Sequence, residues 1–266
     1  MRIVSLACSN TEIVHALGCG HLLVGVDDHS DWPPALVDPL PKVGPDLDID
    51  VERVADLEPD LVLATLTVPG HERVVERLEA AKLPFVAPEP TSIPDVYRDI
   101  RDIGELLGVT HRAEALVAQM RAELGDGSAP GAVSDRDGPS ILIQWWPKPV
   151  ITPGRLSWAH EAVLRAGGRT PIGDEEVKSR PITNEEVVAL APDAIVLSWC
   201  GVHPDKYRPD VVLENPDFAD VPAVRNRQVH CIGEPFLGRP GPRLVEGVRA
   251  LRQVVEAVRE QAAGVR

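Results

Sequence analysis

The 266-residue chain is 44% hydrophobic, 4% aromatic and 26% charged, and its formal net charge is −14. This hydrophobic content is enough for packed cores in one large or two modest domains. The negative charge argues against nucleic acid and anionic membranes as partners, because both require clustered cations. No apolar run approaches the roughly 20 residues of a membrane span, so we expect no membrane insertion.

Strands and helices alternate from the start of the chain. RIVSL reads as a strand, and SNTEIVHALG as a helix in which Ser9 and Glu12 are spaced as a capping box and Gly18 marks the end. Further on, Asp50 is a candidate N-cap of the helix VERVADLE, and LVLAT is a continuous apolar run typical of a buried strand. We assign residues 1–92 to an N-terminal lobe.

Two linking helices are predicted in residues 93–126. The second, THRAEALVAQMRAEL at 110–124, has apolar residues at three-and-four spacing, with Thr110 as a candidate N-cap. A helix of this length extends roughly 22 Å. We interpret it as a single strut between two lobes.

The same alternation returns in residues 138–266, the predicted C-terminal lobe. Its elements are, in order, the strand ILIQWW, the helices SWAHEAVLRAGG and TNEEVVALA, the strands AIVLSW and VHCIG, and a last helix from Pro242 to about Ala262. Alternating strands and helices predict an α/β fold with parallel sheets in both lobes. Ligands of such sheets bind at the carboxyl ends of the strands, which predicts a ligand cleft between the lobes.

Two segments of the chain are alike without a gap. IDVERVADLEPDLVLA at 49–64 and ITNEEVVALAPDAIVL at 182–197 share Ile, Glu, Val, Leu, Pro and Asp at matching positions. The match favours a structural duplication. The alternative is that a helix, a Pro-Asp turn and a buried strand converge on similar residues.

Aromatic residues are few and lie mainly where strands end. We predict that four of them bind ligand: Trp145, Trp146, Trp199 and Phe236. Rigid aromatic faces suit a large, flat, partly apolar ligand, because stacking buries much area without ordering many rotors. The alternative is that tryptophans fill the edges of the lobes, and it applies most to Trp32 and Trp158.

Motifs of catalysis are missing from the chain. It has no GxxxxGK, GxSxG or HExxH, so we predict no catalytic residues and no required cofactor. No histidine pair has the spacing of a metal site, and we predict no metal ligands. A divalent-metal site assembled from both lobes stays open, because four histidines fall in or beside loops: His29, His71, His160 and His203.

Several motifs together resemble a known family. They are SLACSNTEIVHALG, VGVDDHSDWPP, the Leu-Glu-Pro-Asp-Leu-Val turn at 57–62, EPTSI and FLGRPGPRLVEGV. In this order they are similar to the class III substrate-binding proteins of vitamin B12 and iron-siderophore ABC importers, most of all to the cobalamin-binding branch. The resemblance implies a two-lobed monomer with one connecting helix, a small-molecule ligand and an ABC permease as partner.

Four positions correspond to ligand-contacting positions of the cobalamin binder. His29 falls where that protein has a pocket tyrosine, and Trp145 falls on a pocket phenylalanine. Phe236 and Arg239 fall on a ring-packing tryptophan and a nearby arginine. The resemblance thus implies ligand contacts for these four side chains.

The chain also departs from that pattern. Two tryptophans that flank the corrin in the N-terminal lobe of the relative align with Asp46 and Thr65, while Trp146 and Trp199 have no aromatic counterpart there. We expect the latter two to rebuild the aromatic wall. Glu72 lies where exported relatives dock onto arginines of the permease, so it is the predicted docking residue.

The sequence thus predicts a non-enzymatic protein that holds a cobalamin-like corrinoid. An imidazole can replace water on a corrinoid cobalt, which makes His29 a candidate cobalt ligand. Alternatives are a metal ion, or a ferric siderophore or haem held by arginines, the candidates being Arg155, Arg180 and Arg239. An alternative of another class is a cytoplasmic corrinoid-processing enzyme using acid–base groups, namely Glu12, His29 and Glu234.

The start MRIVSLACSNTEI has no features of a signal peptide, which predicts a cytoplasmic location. A periplasmic or cell-surface location follows if this sequence is a trimmed form.

Overall fold

The computed structural model describes residues 1–125 and 138–264. The chain divides into two compact units: unit 1 is Met1–Pro90 with Pro94–Met120, and unit 2 is Thr91–Ile93 with Arg121–Arg266. The chain passes from unit 1 to unit 2 within the predicted strut, the helix Thr110–Leu124. Most of the predicted linking segment 93–126 is therefore part of unit 1, and its residue 126 lies outside the described residues.

Unit 1 contains a four-stranded parallel sheet with the order β2-β1-β3-β4. Its strands are β1 (Ile3–Ser5), β2 (Leu23–Val26), β3 (Leu61–Leu63) and β4 (Phe85–Val86). Strands β1 and β3 are buried along their whole length. Such strands are apolar without alternation because both faces of a parallel sheet are covered, which is why the apolar runs in the sequence predicted them.

The helices of the first half are α1 (Cys8–Ala16), α2 (Pro34–Val37), α3 (Val51–Asp56), α4 (His71–Ala80), α5 (Ile93–Leu106) and α6 (Thr110–Leu124). Asp50 caps α3 as predicted, since its carboxylate accepts the N–H of Arg53 at 3.0 Å. The apolar stripe predicted for α6 is also found, with Val117 and Met120 each 1% exposed.

Two predicted helix caps are wrong, although α6 has the predicted bounds. Ser9 lies inside α1, whose N-cap residue Ala7 offers no side-chain oxygen, so Ser9 and Glu12 form no capping box. Thr110 is the first residue of α6 rather than its cap, and the carbonyl of Val109 already accepts N–H groups from that helix. A capping box does occur elsewhere, between Thr183 and Glu186.

Unit 2 contains six strands among the described residues: β5 (Ile141–Gln144), β6 (Trp146–Pro147), β7 (Val150–Pro153), β8 (Ser179–Ile182), β9 (Ala194–Leu197) and β10 (Val229–Cys231). Its helices are α7 (Trp158–Arg165), α8 (Asn184–Leu190), α9 (Asp210–Leu213), α10 (Pro222–Arg225), α11 (Glu234–Leu237) and α12 (Leu244–Gly264).

The strands of unit 2 form two sheets. The first is parallel with the order β10-β9-β5, which confirms the predicted α/β fold with parallel sheets. The second is antiparallel with the order β6-β7-β8 and was not predicted. Its strands contain prolines at 147, 153 and 181, and another proline, at 149, lies in the turn between β6 and β7. These prolines hide the apolar alternation that marks a strand in the sequence.

The two similar segments have the same local structure. Each begins with a side-chain N-cap, Asp50 on α3 and Thr183 on α8. Each helix is followed by a non-glycine residue of positive φ directly before the proline, Glu58 at 46° and Ala191 at 42°. A buried strand follows in both cases, β3 and β9.

The aspartates of the two Pro-Asp turns also make the same hydrogen bond. Asp60 accepts the N–H of Arg2 at 2.6 Å, just before β1, and Asp193 accepts the N–H of Ser140 at 2.7 Å, just before β5. Each turn thereby fixes the start of the strand that pairs with its own.

Candidate functional site

The predicted ligand residue His29 lies in the loop after β2. Its backbone N–H donates to Asp27 Oδ2 at 3.1 Å, and Ser30 Oγ donates to Asp27 Oδ1 at 2.5 Å. Lys42 Nζ donates to the carbonyl oxygen of Ser30 at 2.6 Å. Burial raises the pKa of Asp27 above its ordinary value. These contacts fix the loop backbone, while the imidazole of His29 is exposed.

The carboxylate of Asp46 lies between two imidazoles. Its Oδ1 is 3.6 Å from His29 Nε2, and its Oδ2 is 3.7 Å from His71 Nε2. His71, the first residue of α4, is buried. The His71 imidazole is the main reason that the pKa of Asp46 lies below its ordinary value; burial opposes this effect, and the charge of His29 adds to it. Asp46 is therefore a carboxylate at neutral pH.

This cluster of His29, Asp46 and His71 was not predicted from the sequence. The available signal was positional: the loops that carry these residues follow β2 and β3, and the carboxyl ends of parallel strands lie at one edge of a sheet. Which side chains of the two loops meet depends on loop conformation, and spacing along the chain does not give that.

Aromatic surface is present where β5 ends in unit 2. Trp145 is half-buried, and its ring centroid lies 6.1 Å from that of Trp158 with a tilt of 32°. Trp158 is buried, and its Nε1 donates to the carbonyl oxygen of Leu237 at 2.7 Å, so it supports the structure. Trp146, in β6, is 41% exposed. The indole N–H of Trp145 is buried and has no hydrogen-bond partner among the described residues.

Trp199 lies in a different environment from the one expected of a ligand-stacking ring. It is 6% exposed and packs in the hydrophobic core of unit 2. Its Nε1 donates to Gln144 Oε1 at 3.0 Å, and its ring lies 5.4 Å from that of Tyr207. The structure therefore favours the alternative for this residue, that the tryptophan fills the lobe.

Phe236 and Arg239 lie close together around α11. Phe236 is half-buried, and the guanidinium carbon of Arg243 lies 4.7 Å from its ring centroid, a cation–π distance. Arg239 is buried, and its Nε donates to Glu234 Oε2 at 3.1 Å. A Cβ atom at Gly247 of α12 would lie 2.1 Å from the carbonyl oxygen of Phe236, so glycine there sets the position of α11.

The arginines proposed for an anionic siderophore differ in their surroundings. Arg180 binds two carboxylates, Glu175 at 2.6 Å and Glu186 at 2.9 Å. The hydrogen bonds that Arg180 donates to Glu175 are the largest cause of its raised pKa. Arg239 pairs with Glu234, whereas Arg155 is exposed. Two of the three guanidinium groups are therefore already matched by acidic groups of their own unit.

The remaining predicted residues are acidic. Glu72 is exposed in the first turn of α4, and its Oε2 accepts the N–H of Gly70 at 2.8 Å, so it caps its own helix. Of the acid–base candidates, Glu12 is buried in α1 and belongs to unit 1, as does His29, whereas Glu234 belongs to unit 2. The enzyme alternative depends on the convergence of these three side chains.

A pocket of about 630 Å³ opens within unit 2, between the β6–β7 hairpin and residues 208–218. Gln144, Lys148 and Arg208 are among its lining residues, and none of the predicted ligand-binding side chains lines it.

Residues 1–125 and 138–264 contain no group of three or more His, Cys, Asp or Glu side chains arranged to hold a metal ion. None of the helices in this part of the chain has the length and apolar character of a membrane span.

Residues 3–235 match the model of the periplasmic binding protein family. YvrC of Bacillus subtilis (strain 168), an uncharacterized ABC transporter substrate-binding lipoprotein, is 31% identical over 258 residues, which are 96% of this chain and 79% of the relative. The vitamin B12-binding protein of Pectobacterium carotovorum subsp. carotovorum (strain PC1) is 27% identical over 92% of this chain and 84% of its own. The apo structure of the periplasmic heme-binding protein RhuT from Roseiflexus sp. RS-1 superposes with a TM-score of 0.79 at 29% identity and covers 98% of both chains. The chain therefore belongs to the periplasmic binding protein family.

Proposed function

We propose that this chain is the non-enzymatic solute-binding component of an ABC importer and that it carries a cobalamin-like corrinoid. The observation that carries the proposal is the aromatic surface left accessible in unit 2 by Trp145, Trp146 and Phe236. Flat aromatic faces bury much of a macrocycle at a low cost in side-chain entropy. Two relatives support the proposal, since one is named a vitamin B12-binding protein and the other an ABC transporter substrate-binding lipoprotein.

Polar groups beside the aromatic surface suit the amides and the phosphate of a corrinoid. Arg239, which lies just after α11, supplies a guanidinium. In unit 1, the exposed His29 is a candidate ligand of the cobalt. A ligand position between the two units stays a prediction from the sequence.

The second candidate cargo is haem. It is favoured by the likeness to RhuT, which is named a heme-binding protein, and by the exposed imidazole of His29, since histidine is a common axial ligand of haem iron. A ferric siderophore is less well supported, because Arg180 already pairs with Glu175 and Glu186, and a bound anion would compete with these carboxylates.

Calorimetric titration of the purified protein with cyanocobalamin, aquocobalamin, ferric haem and a ferric hydroxamate tests the proposal. We expect micromolar or tighter binding of a cobalamin. Trp145→Ala and Phe236→Ala should each weaken it about tenfold or more, which corresponds to roughly 1.4 kcal/mol of lost stacking. Val188→Ala is the control, because Val188 is a 39% exposed apolar residue of α8 in the same unit and has no predicted ligand contact. Heat from haem alone would select the second candidate, and heat from no tetrapyrrole would refute both.

The importer role implies a permease partner and a location outside the cytoplasmic membrane. Glu72→Gln should leave ligand affinity unchanged and lower ligand uptake, if Glu72 docks onto the permease. Fractionation of native cells with an antibody against the chain tests the location, and a purely cytoplasmic pool would contradict the importer role.

The proposal also excludes turnover of the cargo. Cobalamin recovered after prolonged incubation should be chemically unchanged by chromatography and mass spectrometry. A product formed by the wild type and lost in Glu12→Gln or Glu234→Gln would instead support a corrinoid-processing enzyme.

A further inference from the structure

His71 is the buried member of the cluster and orients the carboxylate of Asp46. The backbone N–H of Val68 donates to His71 Nδ1 at 3.3 Å, so Nδ1 is the unprotonated nitrogen and Nε2 carries the proton. Nε2 is buried and makes no hydrogen bond with any described residue, and it faces Asp46 Oδ2 at 3.7 Å. At this distance the contact is a charge–dipole attraction rather than a hydrogen bond. It favours an ionised, oriented carboxylate at position 46.

Asp46 in turn orients the exposed imidazole. His29 Nε2 lies 3.6 Å from Asp46 Oδ1, and the side chain of His29 is 47% exposed. A carboxylate beside one ring nitrogen favours the tautomer in which that nitrogen carries the proton. The lone pair of His29 is then on Nδ1. This is the arrangement in which a second residue fixes the ring orientation of a metal-binding histidine.

We propose that Asp46, held by His71, is a positioning residue that presents His29 Nδ1 to an open axial coordination position of a metal already chelated by a tetrapyrrole. The inference rests on the proposed function and narrows the cargo to tetrapyrroles with an exchangeable axial ligand. A chelated metal needs only one further protein ligand, which agrees with the lack of a three-residue metal group in residues 1–125 and 138–264. The Nδ1 lone pair forms the metal–nitrogen bond, the axial water leaves, Nε2 keeps its proton, and no electron is transferred.

His29 can coordinate only those cargoes whose axial ligand on the metal is exchangeable. Aquocobalamin and ferric haem hold a water that imidazole can displace. Cyanocobalamin holds cyanide at that position, and a hexadentate ferric hydroxamate leaves no coordination position open. We therefore expect coordination with the first two probes only, whatever the affinity of the others.

Visible spectroscopy of the full chain with aquocobalamin, and in parallel with ferric haem, tests the inference. The wild type should shift the absorption bands as an imidazole complex does, and His29→Ala should not, although it still binds. Free imidazole added to His29→Ala should restore the shifted spectrum. His21→Ala, which removes another exposed histidine of unit 1, is the control and should behave as the wild type.

Asp46→Asn tests the positioning role, with Asp48→Asn as the matched control. Asp48 lies in the same loop, its side chain is 88% exposed, and it contacts Arg77 rather than a histidine. Loss of an outer partner of a metal-binding histidine typically costs about 10- to 100-fold in affinity. We expect a loss of this size for aquocobalamin with Asp46→Asn and none with Asp48→Asn. Neither variant should change the affinity for cyanocobalamin, which His29 does not coordinate.

The outcomes separate the inference from the proposed function. Calorimetric binding of a tetrapyrrole with identical spectra of wild type and His29→Ala would overturn the inference and leave the proposed function in place. If the metal is coordinated in the Asp46→Asn variant as in the wild type, the positioning role of Asp46 is overturned, while coordination by His29 stands. No binding of any tetrapyrrole would overturn both.

Discussion

Replacing Gly247 by alanine tests how closely α12 must approach α11. Two effects oppose each other. Alanine is favoured over glycine inside a helix by about 1 kcal/mol, which would stabilise α12. The new Cβ, however, would lie 2.1 Å from the carbonyl oxygen of Phe236 and 2.9 Å from a side-chain carbon of Leu237.

The clash is with backbone, so a side-chain rotation cannot relieve it. The turn of α11 has to move away from α12, and overpacking of this kind typically costs about 1–3 kcal/mol and sometimes more. Because the clash is with backbone, we expect a cost near the upper end of this range, about 3 kcal/mol. After the gain of about 1 kcal/mol in helix propensity, Gly247→Ala should lower the free energy of unfolding by about 2 kcal/mol. Because Phe236 moves with α11, ligand affinity should fall as well.

Urea denaturation followed by circular dichroism measures the first effect, and calorimetric titration measures the second. Gly264→Ala is the matched control in the same helix, since nothing lies within 4 Å of a Cβ atom there. It should leave stability unchanged or raise it slightly. A Gly247→Ala variant as stable as Gly264→Ala would refute the assignment of Gly247 to close helix packing.

Three further predictions concern buried polar and aromatic groups. Burial raises the pKa of Asp99 to about 6 from an ordinary 3.8, so the native state binds this proton more tightly than the unfolded state and loses stability as the pH rises through that interval. Asp99→Asn should therefore raise the free energy of unfolding by up to about 3 kcal/mol at about pH 8 and by almost nothing below about pH 4, as measured by denaturation across pH. Trp199→Ala should lower the free energy of unfolding, measured in urea, by about 3–5 kcal/mol. A variant with unchanged stability but weaker ligand binding would instead support the predicted stacking role of Trp199. Asp193→Ala should lower the free energy of unfolding by about 1–3 kcal/mol, because it removes the acceptor of the N–H of the buried Ser140. Asp60→Ala should lower it by less than about 1 kcal/mol, because the carboxylate of Asp60 is 59% exposed. Equal losses of stability in urea or thermal unfolding would contradict this difference.

The parts of the fold that were predictable are those governed by local physics. Continuous apolar runs such as LVL in β3 mark strands buried on both faces, and a side-chain acceptor before an amphipathic run, such as Asp50, marks a helix start. The failures came where two local patterns compete. Ser9 has capping chemistry, but α1 already begins at Cys8, so Ser9 lies inside the helix and does not cap it. In the β6-β7-β8 sheet, prolines hide the apolar alternation that marks a strand.

The candidate site was less predictable than the fold. Position at a strand end identified Trp145 and Trp199 equally well, yet one ring is half-buried at the surface and the other packs in the core, because the direction of a side chain after a strand depends on the following turn. The contact between Asp46 and His71 joins two loops and has no local signature. Resemblance to a family could not reveal it either, since the relative has an aromatic residue in place of Asp46.

The positive φ angles of Glu58 and Ala191 bear on the origin of the two halves. A left-handed conformation costs a non-glycine residue roughly 1–2 kcal/mol, and glycine would avoid that cost at both turns. Independent selection for a good turn tends to remove such residues, so convergence explains shared favourable features better than shared unfavourable ones. The same left-handed conformation, directly before the proline in both halves, therefore favours the copying of one ancestral gene segment over convergence.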